Sequence, residues 1–135
     1  MGEARLSRVL AVDPGEARIG LALSDELGVV ARPLSVLRHR AREADARAIL
    51  RIAVEHRVTR VVVGLALDSE GQEGPQARRA LRLVEVLQKL SDMPVTTWDE
   101  SGSTVAALEG QGAESMLDAR AAAVILQEFL DAKAG

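Results

Sequence analysis

Cysteine and tyrosine are absent, and the 135 residues include one Trp, one Phe and two His. Without cysteine there can be no disulfide and no thiolate metal site, which fits a reducing, cytoplasmic setting. So few rings leave the core to Val, Leu, Ile and Ala, and argue against the base-stacking platforms of single-strand binding proteins. No apolar run reaches the ~20 residues of a membrane span. The first eight residues are polar and charged, unlike a signal peptide. A membrane is therefore not an expected partner. Neither sign of charge dominates, since the formal net charge is −3. The sum does not announce nucleic acid, but the distribution matters more. Arg38, His39, Arg40 and Arg42 form one basic cluster, and Arg78, Arg79 and Arg82 another. Solvated faces are the plain reading of such runs. At this length one domain over residues 1–135 is expected.

What is present is an alternation of elements. Residues 8–12, 18–23 and 29–37 are apolar or alternating and are separated by short turn segments, Pro14-Gly15 and Asp25-Glu26-Leu27-Gly28. Links that short favour an antiparallel meander. Over residues 43–56, Ala46, Ile49, Leu50, Ala53 and Val54 recur at helical spacing. Residues 60–64 (RVVVG) read as a strand buried on both faces. A polar loop over 65–74 leads to Pro75, well placed in a first helical turn, and a helix to about residue 90. A fifth strand is expected over 94–98 and a short helix over 104–108. A polar loop over 109–115 precedes a final, largely buried helix over 117–132. Alternating strands and helices in the second half call for parallel pairing. The two halves must share one sheet, because the chain is too short for two cores. His39 and His56 flank the first helix and read as solvated, and Trp98 as a core plug.

Acids fall at strand ends. Asp13 follows the first apolar run and Asp99-Glu100 the fifth, while Asp118 opens the last helix. Ligand sites of open α/β sheets lie beyond the carboxyl ends of their parallel strands. If strands one, four and five run parallel, Asp13 and Glu100 project from one edge, and the last helix can bring Asp118 to them. Clustered carboxylates repel one another, and a hard divalent ion removes that repulsion. Other readings stay open. Asp13-Pro14-Gly15 matches a β-turn, Asp99 or Glu100 could cap a following helix, and Asp118 could answer a helix dipole.

These segments resemble the YqgF (RuvX) family, whose members are described as pre-16S ribosomal RNA nucleases or Holliday-junction-resolvase-like proteins. The likeness runs from Leu10 to Asp131 in four blocks. Asp13-Pro-Gly-Glu-Ala-Arg-Ile-Gly20 with Leu21–Asp25 resembles the family's Asp-x-Gly-x-x-Arg-Ile-Gly opening. Val61–Leu65 through Gly74–Ala77, Trp98-Asp99-Glu100, and Asp118–Ala122 with Ile125-Leu126-Gln127 follow in order.

The resemblance implies an α/β, ribonuclease H-like fold. Its five-stranded mixed sheet would have an antiparallel meander of strands one to three, then parallel strands four and five, flanked by helices. It implies a nuclease using Mg²⁺ or Mn²⁺, as two ions. The catalytic and metal-holding acids would be Asp13, Glu100 and Asp118, with Asp99 auxiliary. Gly15 would let the backbone turn beside Asp13. Arg18 would hold either the scissile phosphate or an acid.

Three departures from the family pattern stand out. Ser101 follows Asp99-Glu100 where the pattern has Arg, Ala66 follows Gly64-Leu65 where it has Pro, and residues 109–115 carry no Lys or Arg. Phosphate contacts supply much of nucleic-acid affinity, so binding would lean on Arg38, Arg40, Arg78 and Arg79. The implied substrate is precursor ribosomal RNA, with the ribosome as a partner. Branched DNA is the alternative, and its two symmetric cuts would favour a homodimer over a monomer. A non-catalytic RNA- or ribosome-binding module that kept the fold while its site decayed is the rival from another class.

Overall fold

A computed structural model describes residues 7–100 and 116–134. The expected helix over 104–108, the loop over 109–115 and Ser101 lie outside the described residues. The chain order is β1 (Arg8–Pro14), β2 (Arg18–Ser24), β3 (Ala31–Arg38), α1 (Arg42–Glu55), β4 (Val58–Leu65), α2 (Pro75–Leu90), β5 (Val95–Asp99) and α3 (Leu117–Ala134). The strands form one sheet in the order β3-β2-β1-β4-β5. β2 pairs antiparallel with β1 and β3, whereas β4 pairs parallel with β1 and β5. This is the mixed sheet that the resemblance implies.

The two faces of the sheet differ. Leu10, Val12, Ile19, Leu21, Val61 and Val63 pack under α1 and α2 with Ile49, Leu83 and Leu87. On the other face Val9, Ala11, Ala22 and Val62 meet Ala122, Leu126, Phe129 and Leu130 of α3. Small residues dominate that second layer and let α3 lie close to the strands. Trp98 is half-buried there, edge-on to Phe129 at 5.8 Å between centroids.

Three local expectations shift. β1 continues through Asp13 and Pro14, which pair with Gly20 and Ile19. Asp13 is thus a strand residue, and the chain turns only afterwards, over residues 15–17. Val29 and Val30 were expected in a strand but lie exposed before β3. The Asp25 carboxylate accepts both of their N–H groups, at 2.8 and 3.1 Å, and holds them in the turn. Val54 is 70% exposed, off the stripe formed by Ala46, Ile49 and Ala53.

Candidate active site at the carboxyl edge

The carboxyl ends of β1, β4 and β5 lie along one sheet edge, as their parallel pairing demands. β3 runs the same way as β1, two antiparallel steps across. The edge therefore carries Asp13, Arg38, Glu100 and the starts of α1 and α2. β2 begins there too, with Arg18 paired to Arg38.

Asp13 is half-buried and alternates with Val9 and Ala11, so it leaves the sheet on the α3 face. Its ladder partner Gly20 is on the same face. A methyl group at Gly20 would run into the main-chain carbonyl of Asp118. Only glycine permits that approach, and it brings the first turn of α3 over the β1–β2 pair. Gly64 does the same for β4: a Cβ there would lie 2.7 Å from Ile125 Cδ1 and 3.1 Å from Glu100 Oε2. The space left by this missing side chain is where the Glu100 carboxylate sits. Glu100 is held in line by its N–H, which donates to Leu65 O at 2.7 Å and extends the ladder past β5. Asp13, Glu100 and the main chain of Asp118 thus come to one face of one edge.

Asp99 goes elsewhere. Its register partner Leu65 belongs to the core under α1 and α2, so Asp99 leaves the strand on that side and is exposed. Gly15 stands where a Cβ would lie 2.6 Å from Arg18 O, and its N–H donates to that same oxygen at 2.9 Å. The hairpin closes on the missing side chain.

Arg18 holds an acid. Its Nε donates to Asp118 Oδ2 at 2.6 Å, across 100 residues of sequence. The hydrogen bond and the charge of Asp118 raise the guanidinium further above its already high range. Among the described residues no three acidic or imidazole side chains stand close enough to share an ion as they lie. The donors are all carboxylates, which suit a hard cation, and the glycine gaps give them room. In this state, however, Asp118 is committed to Arg18.

The basic residues form a flank. Arg38 and Arg40 are exposed and, with Arg47 and Arg51 of α1, line a groove of about 450 Å³. The i,i+4 spacing of Arg47 and Arg51 was legible in the sequence as one helix face. Arg78 is exposed at the start of α2 and donates to Glu73 O at 2.9 Å. Arg79 is half-buried beside Glu16, at 3.7 Å. His39 is exposed, as expected, and is also paired. Its Nδ1 is 2.5 Å from Oδ2 of Asp45, a residue only 5% exposed. The other Asp45 oxygen accepts the Arg40 N–H at 3.0 Å. A buried carboxylate demands such partners, and the first turn of α1 points this one inward.

Comparison with known proteins follows the same lines. The family described as "RuvX: Holliday junction resolvase" matches residues 7–132. A relative from Anaeromyxobacter sp. (strain Fw109-5), named "Putative pre-16S rRNA nuclease", is 46% identical, covering 93% of this chain and 98% of its own. A relative of the same name from Symbiobacterium thermophilum is 42% identical, with 94% of each chain covered. Among solved structures, Thermus thermophilus RuvC in complex with Holliday junction substrate superposes with a TM-score of 0.59 at 17% identity, covering 96% of both chains. The fowlpox virus Holliday junction resolvase gives 0.56 at 12% identity, covering 93% of this chain and 99% of its own. These two likenesses speak for the ribonuclease H-like fold.

Proposed function

Because the chain belongs to the RuvX family, we propose that it is a nuclease acting with Mg²⁺ or Mn²⁺ in 5′-end processing of pre-16S ribosomal RNA. The names of the full-length relatives support the substrate. One observation carries the chemistry: the edge where Gly20 and Gly64 make room for Asp118 and Glu100 on the face that Asp13 also serves. Those three acids would hold the ions, with Asp99 an auxiliary outside the shared face. Bound there, such ions would supply charge stabilisation to the attacking and leaving phosphate oxygens.

The chain's own residues then have separate tasks. Arg18 neutralises Asp118 in the absence of an ion. Once Asp118 turns to the shared face, the guanidinium is free to grip a phosphate oxygen, for which its planar fork is suited. Arg38, Arg40, Arg78 and Arg79 would neutralise phosphates to either side, taking the load of the non-basic segment over 109–115. The setting would be the cytoplasm, on a ribosomal precursor.

Branched DNA is the second reading, favoured by the description of the family and the likeness to RuvC. Paired cuts would then require a homodimer rather than a monomer.

The test is a substrate panel of precursor RNA, single-stranded DNA and four-way junctions, each with Mn²⁺ or with chelator. Cleavage of precursor RNA with Mn²⁺, lost in a folded Asp13→Asn variant, is the expected result. A neutral amide is a poor ligand for a hard ion. Full activity in that variant would sink the assignment. Binding without cleavage in every arm would favour the non-catalytic module.

A further inference from the structure

On the opposite face from Asp13, directly behind the β1–β2 hairpin, lies a cavity of about 70 Å³. Pro14, Ile19 and Leu83 give it apolar walls, and His39, Arg42 and Arg79 give it cations or donors. Its volume admits a few waters or one tetrahedral oxyanion, and excludes a nucleobase or a ribose. His39 of the β3–α1 link, Arg42 at the start of α1 and Arg79 of α2 converge on this small space, the first two reaching it from the surface and Arg79 from a half-buried position. Arg42 and Arg79 are like charges beside apolar walls, and an anion between them would relieve their repulsion.

The local chemistry agrees in detail. Asp45, the acid on this wall, has both oxygens engaged, one by His39 Nδ1 and one by the Arg40 N–H. That contact engages Nδ1, so Nε2 is the His39 nitrogen that an anion would use. Glu16 is the other nearby acid, 3.7 Å from Arg79, but its side chain is 88% exposed and can swing into solvent. Arg79 is the more buried partner, with 26% of its side chain exposed. An arriving anion would displace a weak surface contact.

We propose that the cavity walled by His39, Arg42 and Arg79 is a phosphate-binding pocket. Pro14 and Gly15, which line it, directly follow Asp13 in the chain. A phosphate seated there lies beside the candidate active site without entering it. The proposal rests on the nuclease reading only for the origin of the phosphate, a nucleic-acid strand, and not for the binding.

The test uses the whole chain in chelator, so that no cleavage is read. The melting midpoint is followed against sodium phosphate and against sodium chloride at matched ionic strength. A saturable rise with phosphate alone is expected. An Arg42→Gln/Arg79→Gln double variant should raise the apparent dissociation constant by at least about tenfold, since each lost charged hydrogen bond is worth that much. His39→Gln, which can still donate to Asp45, should weaken binding in the same direction and provides a second variant should the double one fold poorly. Identical curves for the two salts, or a double variant that binds phosphate like the parent, would overturn the proposal.

A second arm finds the source of the phosphate. A short oligonucleotide with a 5′-phosphate is compared with its 5′-hydroxyl form on the Asp13→Asn variant. A preference for the 5′-phosphate that disappears in the double variant assigns a strand end. Equal binding that weakens in the double variant assigns an internal phosphodiester. Oligonucleotide binding untouched by the double variant, alongside a phosphate response that is lost, assigns free phosphate. None of these outcomes depends on whether the chain cleaves RNA.

Discussion

Gly20→Ala tests the geometry of the edge with a single methyl group. Gly20 is buried in β2, and its added Cβ would meet the main-chain carbonyl of Asp118 rather than a flexible side chain. Main chain cannot rotate aside, so the first turn of α3 must retreat. Overpacking of this kind costs typically about 1–3 kcal/mol. Replacing glycine within a strand returns roughly 0.5–1 kcal/mol, because the unfolded chain loses freedom. The difference is at most about 2.5 kcal/mol of net loss, and because the clash is with main chain the upper part of that range, about 1–2.5 kcal/mol, is expected. For a domain of this size that corresponds to a melting midpoint lower by roughly 3–12 °C.

Gly74→Ala is the control, since nothing lies within 4 Å of its would-be Cβ. It should cost only the modest preference for glycine over alanine at a helix N-cap. The assay is a thermal melt of both variants, with chelator and with Mn²⁺. Gly20→Ala should lose stability in chelator and also respond less to Mn²⁺, because displacing the start of α3 moves Asp118 away from Glu100 and Asp13. If Gly20→Ala melts with or above Gly74→Ala, and responds to Mn²⁺ like the parent, the close approach of α3 to β2 is wrong.

Further outcomes follow from the same geometry. At 100 times its dissociation constant, Mn²⁺ should stabilise the parent by roughly 2.7 kcal/mol. Asp118→Asn should gain far less, and equal melting shifts would refute the shared site. In chelator Asp118→Asn should not exceed the parent, because Arg18 already neutralises Asp118 and little repulsion remains to be relieved. Replacing Arg78 and Arg79 with Ala should flatten the salt dependence of nucleic-acid binding by about 0.7–0.9 log units per lost phosphate contact. An unchanged slope in filter binding would show a solvated helix face. The Asp25 carboxyl is held below its usual range by the N–H groups of Val30 and Val29. Its folded pKa is thus the lower one, so its contribution is present above the unfolded value of 3.8 and is lost as pH falls through the folded value. The stability gap between parent and Asp25→Asn should therefore close in acid, and a gap independent of pH would show that the turn contacts do not matter.

The sequence by itself determined the order of elements and the edge on which the candidate acids fall. Short links between apolar runs leave three strands no choice but a meander. The RVVVG run could only be a strand covered on both faces. Periodicity and link length act over a few residues, which is why they are legible in a linear chain. The same locality explains the errors. The valines at 29 and 30 have strand propensity, but two hydrogen bonds to Asp25 outweigh it. Asp13-Pro14-Gly15 has turn chemistry, but pairing with β2 carries the strand two residues further.

Only the tertiary structure decided what the candidate acids touch. Arg18 and Asp118 meet across 100 residues, so no window of sequence links them. The pairing of the exposed His39 was not legible because the inward direction of Asp45 depends on how α1 packs against α2 and β4. Gly20 and Gly64 carry no chemical signal at all. Their importance lies in the atoms that occupy the space a side chain would take, and those atoms come from α3 and from the residue after β5. A steric allowance is a property of two chain segments in contact, and one segment's sequence does not contain it.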